Sequence, residues 1–227
     1  MAHVLITGTS QGIGRAIAQR FLEHGWQVTG MDRLPADAML ADWSAKSGEG
    51  AGTYRHLQLD ILEDDLPELE DIQVLINNAG VQNSGQDIDV NLKGTIRITE
   101  TYGIRPGIRS ILFLASASAS TGSEFPEYAA SKGGVVAYMK NTALRVAAYG
   151  ATANSLSPGG VITSLNDHIL KDPKLWEAVL QESMLHKWMT LEEVADWAWF
   201  LTAVNRSMTA QDVLVDNGEA ARSNFIW

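Results

Sequence analysis

An apolar run from His3 to Thr7 passes without a break into Gly8-Thr9-Ser10-Gln11-Gly12-Ile13-Gly14, and a helical pattern opens there and continues to about His24. Few architectures place closely spaced glycines between a strand and a helix. Glycine lets the backbone approach a pyrophosphate, and the helix N-terminus that follows favours the negative charge. A plain turn is the other reading of three glycines. The next strand, Trp26 to Met31, ends at Asp32, about 20 residues beyond Gly12, where a dinucleotide-binding unit places an acid. Gly8, Ser10, Gln11, Gly12, Ile13, Gly14 and Asp32 are therefore candidate cofactor contacts. A carboxylate at Asp32 can accept hydrogen bonds from both adenosine ribose hydroxyls and would repel a 2′-phosphate. NAD is favoured on that ground. Arg33 keeps NADP open, because it can meet a phosphate or stack on adenine as well as stand solvated in a loop.

Apolar runs and helical stretches alternate to the end of the chain. Further strands are expected at Thr53 to Leu59, Ile72 to Ile76, Ser110 to Ala115, Ala151 to Leu156 and Asp212 to Val215. Helices are expected near Asp87 to Gly103, Pro126 to Tyr149, Pro173 to Met184 and Leu191 to Ala203. This pattern predicts an α/β fold, a single-domain Rossmann-type doubly wound architecture with about seven parallel strands and helices on both faces. With 17 Lys+Arg against 27 Asp+Glu, the chain carries a formal charge of −10, which argues against a nucleic-acid partner. It has no cysteine, so disulfides, thiolate metal sites and thiol nucleophiles are excluded, and the five histidines show no metal-site spacing. No window reaches the ~18 apolar residues of a membrane span and no leader is visible, so a cytoplasmic location with no membrane partner is expected.

Tyr128-Ala129-Ala130-Ser131-Lys132 puts a phenol and an ammonium four positions apart, on one face of a helix. A phenol with its ordinary pKa near ~10 is a poor acid or base at neutral pH, and an adjacent fixed cation brings it toward the working range. An exposed helix pair is the plainer reading of this motif.

The glycine motif, Asn77-Asn78-Ala79-Gly80, Asn91, Ser116, Tyr128 and Lys132 stand in the order seen in classical short-chain dehydrogenases/reductases, and the chain resembles that family over nearly its whole length. The resemblance extends to Asn154, to Pro158-Gly159-Gly160-Val161-Ile162-Thr163 and to Val213-Leu214-Val215-Asp216-Asn217-Gly218. It implies an NAD(P)-dependent oxidoreductase that interconverts a secondary alcohol and a ketone by hydride transfer. In that scheme Tyr128 is the general acid/base, Ser116 binds the substrate oxygen, Lys132 perturbs Tyr128 and binds the nicotinamide ribose, and Asn91 holds a relay water. Asp60, with Ile61 beside it, would meet the adenine. Asn78, Ala79 and Gly80 would line the cofactor, and Pro158, Gly159, Val161 and Thr163 its nicotinamide end. A 3-oxoacyl thioester reductase using NADPH and a catalytically idle nucleotide-binding scaffold are the alternatives. The family likeness also implies a homo-oligomer, dimer or tetramer, and a substrate lid near 164–190.

The chain departs from the family pattern in several places. Ser116 and Tyr128 are 12 positions apart, one fewer than usual, which makes Ser118 a competitor for the serine role. The stretches from Asp60 to Asn77 and from Gly80 to Asn91 are short, so an outer helix is expected to be missing or vestigial. Ala210 stands where a glycine normally precedes the last strand, and Asn217 replaces a second one. The apolar tail Asn224 to Trp227 is expected to pack on the body or on a neighbouring subunit.

Overall fold

The computed structural model describes residues 1–43, 52–123 and 125–221. Its strands are β1 (His3–Thr7), β2 (Gln27–Asp32), β3 (Thr53–Gln58), β4 (Val74–Asn77), β5 (Ser110–Leu114), β6 (Thr152–Pro158) and β7 (Asp212–Val215). They form one sheet in the order β3-β2-β1-β4-β5-β6-β7, and every pair is parallel. The helices are α1 (Gly12–Glu23), α2 (Ala38–Ala41), α3 (Thr95–Tyr102), α4 (Ser118–Thr121), α5 (Pro126–Val146), α6 (Asp167–Leu170), α7 (Pro173–Leu180) and α8 (Leu191–Trp199). The tail expected to pack on the body lies outside the described residues.

Apolar residues on both faces of each central strand create two cores. Val4 and Ile6 of β1 join Ile17, Phe21 and Leu22 of α1 and Val194 and Ala198 of α8 on one side. Leu5 joins Ile98 and Tyr102 of α3 and Val135, Met139 and Val146 of α5 on the other. This alternation on a near-continuous apolar run is what a sheet covered on both faces requires.

Helix ends differ from the sequence pattern where local contacts intervene. The helix expected from Asp87 begins as a π-helical segment, Ile88–Gly94, before α3. α7 stops at Leu180 rather than Met184, because Leu185 N–H donates to Asn217 O and Met184 packs against Gly218 beside β7. The expected loss of an outer helix is observed: no helix lies between β3 and β4 among the described residues. Side chains from α3 and the turn after it satisfy the carbonyls of this irregular segment, as buried backbone demands. Arg97 donates to Ile61 O and Asp64 O, Tyr102 to Pro67 O and Arg105 to Leu69 O, at 2.7–2.8 Å.

Ala210 has φ 59°, a left-handed conformation in which its Cβ crowds the backbone, and its N–H is fixed to Ala153 O at 2.8 Å. Asn217, with φ 56°, carries the side-chain type that tolerates this region better. Ala210→Gly is predicted to raise the unfolding free energy by roughly 0.5–1 kcal/mol, read by urea denaturation. No gain would contradict strain at this turn.

Candidate active site

The strand order reverses between β1 and β4, and the crevice outside their C-terminal ends is where an open α/β sheet accepts a ligand. Asn78 Nδ2 donates to Thr7 O (2.9 Å) and Gly8 O (3.1 Å), while Thr7 Oγ1 accepts from Asn78 N–H and Ala79 N–H (both 3.0 Å). Side chains at the two strand ends thus fix the glycine loop to the Asn77–Gly80 segment. A Cβ on Gly14 would lie 2.0 Å from Gly8 O, so only glycine lets α1 cross the end of β1 this closely.

Gly12, at φ 54°, has open space around it, and Gln11 at the N-cap is extended and contributes no side-chain hydrogen bond to the helix. A diphosphate fits this uncapped N-terminus, which supplies free N–H donors and the positive end of a helix dipole. Asp32 closes the outer end: Oδ2 accepts from Ser10 N–H and Oδ1 from Leu34 N–H, each at 2.9 Å. Each oxygen keeps a lone pair for a ribose hydroxyl. Arg33 is exposed beside it. Asp60 accepts from Leu62 N–H at 2.8 Å, and Ile61 is buried beneath Gly94.

The other end of the crevice is built on α5. Pro126 at its N1 position favours the helix start, and Tyr128, Ser131 and Lys132 follow on one face. Lys132 is 6% exposed, its Nζ donates to Leu114 O at 2.8 Å and lies 5.7 Å from the Tyr128 ring centre. Burial pulls the Lys132 pKa down to about 8, partly offset by the negative charge of Asp87. Ser116 follows the strand whose Leu114 carbonyl holds Lys132. Ala115 N–H to Leu156 O and Ala117 N–H to Pro158 O, at 2.8 and 2.9 Å, bring it beside the end of β6. Ser116 is half-buried and donates to Ser118 Oγ at 3.2 Å, whereas Ser118 is buried as the first residue of α4. Of the two, Ser116 is the more exposed.

Asn91, 1% exposed, lies in the π-helical segment. Its Oδ1 accepts from Val81 N–H (2.8 Å) and its Nδ2 donates to Val81 O (2.9 Å) and Ser131 Oγ (3.0 Å). One Oδ1 lone pair is left for a water. A Cβ built on Gly80 would lie 3.0 Å from Asn91 Oδ1 and 3.5 Å from Lys132 Nζ, so these atoms converge at one wall. Val161 and Thr163 follow β6. The Val161–Met189 bridge, with Met189 N–H to Gly160 O and Ile162 N–H to Met189 O, both 2.9 Å, ties the two ends of the 164–190 segment together. Trp176 stacks edge-on against Trp188 within it, centroids 5.2 Å apart. His168 and His186 are exposed.

Asn77 donates to Thr99 Oγ1 and Asn154 to Met208 O, both as bracing groups. Two features were not legible in the sequence. Tyr54 OH meets Thr9 Oγ1 (2.9 Å) and His56 Nδ1 (3.1 Å), and His56 Nε2 meets Leu34 O (3.0 Å). This chain links the glycine loop, β3 and the turn after Asp32. The second feature is Asp87, a buried acid four residues before Asn91. Among the described residues no group of three or more metal-ligating side chains occurs, and no helix is long and apolar enough to cross a membrane.

A family model described as enoyl-(acyl carrier protein) reductase matches residues 8–219. Glucose 1-dehydrogenase of Gluconobacter oxydans (strain 621H) is 28% identical over 98% of this chain and 93% of its own. The 3-oxoacyl-[acyl-carrier-protein] reductase FabG of Chlamydia pneumoniae is 30% identical over 95% of each chain. A crystal structure from Agrobacterium tumefaciens, described as a 2-deoxy-D-gluconate 3-dehydrogenase with bound NADP, is 28% identical and covers 97% of both chains with a TM-score of 0.84. The chain belongs to the classical short-chain dehydrogenase/reductase family. It is accordingly an NAD(P)-dependent oxidoreductase of alcohols and carbonyl compounds.

The lowered Lys132 pKa has a sign that can be measured. The unfolded chain binds the lysine proton up to about 10.5 and the folded chain releases it near 8, so stability rises with pH between these values. In the cofactor-free protein, unfolding free energy relative to Lys132→Met is predicted to grow by roughly 2–3 kcal/mol from pH 7 to pH 10 in urea titrations. A pH-independent difference would contradict a desolvated Lys132.

Proposed function

We propose that the protein is an NAD-dependent dehydrogenase/reductase of a small secondary alcohol and its ketone, with Tyr128, Ser116, Lys132 and Asn91 as its catalytic set. The observation that carries this reading is the burial of the Lys132 ammonium on Leu114 O beside the Tyr128 ring, at the mouth of the crevice headed by α1. When bound, the nicotinamide supplies the hydride in reduction and accepts it in oxidation. Tyr128 OH gives its proton to the carbonyl oxygen in the reductive direction and takes the hydroxyl proton in the other. The Lys132 charge stabilises the phenolate form that this exchange requires. Ser116 Oγ–H donates to the same oxygen and stabilises the charge developing on it. Asn91 fixes Val81 and Ser131 around Lys132 and keeps a lone pair for a water that carries the proton onward.

In this reading Asp32 holds both adenosine ribose hydroxyls and selects NAD. Gly8, Ser10, Gln11, Gly12, Ile13 and Gly14 hold the diphosphate, with Asp60, Ile61, Asn78, Ala79 and Gly80 toward the adenine and along the cofactor. Pro158, Gly159, Val161 and Thr163 surround the nicotinamide, and 164–190 closes over the substrate. An NADPH-dependent 3-oxoacyl thioester reductase is the second reading, favoured by the Chlamydia relative's name and by the exposed Arg33. The charge of −10 opposes it where the acyl group rides on an acidic carrier. The protein acts as a cytoplasmic homo-oligomer, and the exposed Trp197–Phe200 pair and Val204 support an assembly surface.

A panel of sugars, polyols and simple secondary alcohols assayed with NAD and NADP tests the reading. Tyr128→Phe is predicted to lower kcat about 10²–10⁴-fold. Asp32→Ala is predicted to bring kcat/KM for NADP toward that for NAD. Undiminished turnover in Tyr128→Phe would overturn the acid/base assignment, and unchanged cofactor discrimination in Asp32→Ala would overturn the role of Asp32.

A further inference from the structure

β3 is an edge strand, and side chains on one face of a strand recur every second residue. Tyr54, His56 and Gln58 share such a face, and each holds a different part of the loops around Asp32. Tyr54 OH meets Thr9 Oγ1 at 2.9 Å, His56 Nε2 meets Leu34 O at 3.0 Å, and Gln58 Nε2 donates to Arg33 O at 3.2 Å. Leu57 and Leu59, on the opposite face, pack against the core. Gly30 makes the first of these contacts possible. It lies in β2, between β3 and β1, and a Cβ built there would strike both Thr9 Oγ1 and Tyr54 OH. A glycine inside a strand marks such a close approach, and here it lets Tyr54 cross β2 to the glycine loop.

One end of the chain fixes the direction of its hydrogen bonds. Leu34 O can only accept, so His56 Nε2 carries the ring proton and Nδ1 of the neutral ring is an acceptor. Tyr54 OH then donates to Nδ1 at 3.1 Å, and Thr9 Oγ1–H donates to Tyr54 OH. The two ends of this chain are the two segments that hold the Asp32 carboxylate. Ser10 N–H, next to Thr9, donates to Oδ2, and Leu34 N–H donates to Oδ1. Ser10 Oγ adds a 3.3 Å bond to Leu34 O, the carbonyl that His56 also holds. A 2′-phosphate on the ribose requires Asp32 to swing aside or the 33–34 turn to open, because like charges repel. The first movement breaks the bonds from Ser10 and Leu34 N–H. The second also breaks those that His56 and Gln58 make.

We propose that Tyr54 and His56 are specificity-determining positioning residues, which fasten the glycine loop and the 33–34 turn to β3 and so fix Asp32 against a 2′-phosphate. The proposal rests on the assignment of Asp32 to the adenosine ribose under the proposed function. Its readout is the ratio of the NADPH and NADH dissociation constants, taken from energy transfer between tryptophan and the reduced nicotinamide. His56→Phe, which keeps a ring suited to a strand and loses the N–H, is predicted to lower this ratio about 3- to 10-fold, the effect of one hydrogen bond. His56→Gln retains an N–H donor and should keep most of the ratio. In an Asp32→Ala background, His56→Phe should leave the ratio in place, because His56 acts through Asp32. A ratio in His56→Phe equal to that of the unmodified protein would overturn the proposal, as would an equal drop in both backgrounds. Failure of the Asp32 reading shows separately, as a ratio that Asp32→Ala alone does not change, and it removes the basis of the proposal with it.

Two further observations decide the matter where His56→Phe does not fold. Tyr54→Phe leaves the ring beside Gly30 and removes only the hydroxyl that joins Thr9 to His56, and it should lower the ratio in the same direction. An unchanged ratio in that variant sinks the clamp. The other needs no variant: imidazole ¹⁵N shifts of the neutral His56 ring in the cofactor-free protein are predicted to report the Nε2–H tautomer. A ring protonated at Nδ1 instead would leave Leu34 O without its donor and contradict the proposal directly.

Discussion

The seam between β1 and β4 is the constraint on which the rest of the structure depends. Adjacent parallel strands whose crossovers leave on opposite faces must open a crevice at their C-terminal ends, and the chain closes its lower edge with side chains rather than with strand pairing. Thr7 and Asn78 exchange hydrogen bonds with the opposite segment's backbone, so the glycine loop and the Asn77–Gly80 segment are fastened to each other. The N-terminus of α1 then faces the crevice at a fixed height, and Asp32 is held at its rim by Ser10 N–H. A single polar interlock sets the position of three elements around the crevice.

The site also carries a cost that the core around it offsets. An ammonium buried on a carbonyl oxygen, a buried carboxylate and a buried carboxamide meet where apolar residues would pack more stably. Each is satisfied by a named partner, which is why the arrangement persists: Leu114 O for Lys132, Ser84 and Asn83 for Asp87, Val81 and Ser131 for Asn91. The lowered Lys132 pKa expresses the residual penalty of that burial. The short connection from β3 to β4 fits this economy. Arg97, Tyr102 and Arg105 reach across to its carbonyls in place of a helix of its own.

What the sequence makes legible follows from periodicity and punctuation. The architecture and the central strands are readable because a parallel sheet covered on both faces demands apolar runs; Gly8 and Gly14 sit where a close crossing demands glycine, and Gly12 where the backbone is left-handed. Tyr128 and Lys132 follow from helical spacing. Asn78 is readable as a motif but not as a brace, since its partners Thr7 and Gly8 lie 71 and 70 positions away. The Thr9–Tyr54–His56–Leu34 chain and the inward turn of Asp87 leave no trace in the sequence. Both are polar contacts between irregular backbone and side chains brought together only by the completed sheet, and no period or spacing encodes them. The early end of α7 at Leu180 has the same origin, a contact with Asn217 and Gly218 beyond the reach of any local pattern.

In the proposed function the β1–β4 crevice binds a dinucleotide whose adenosine ribose is read by Asp32. Titration of the protein with NADH and with NADPH, followed by energy transfer from tryptophan to the reduced nicotinamide, addresses it without knowledge of the substrate. Saturable NADH binding at least about tenfold tighter than that of NADPH is expected, a difference of about 1.4 kcal/mol. NADPH bound as tightly as NADH or more so, or neither nucleotide bound, would contradict it.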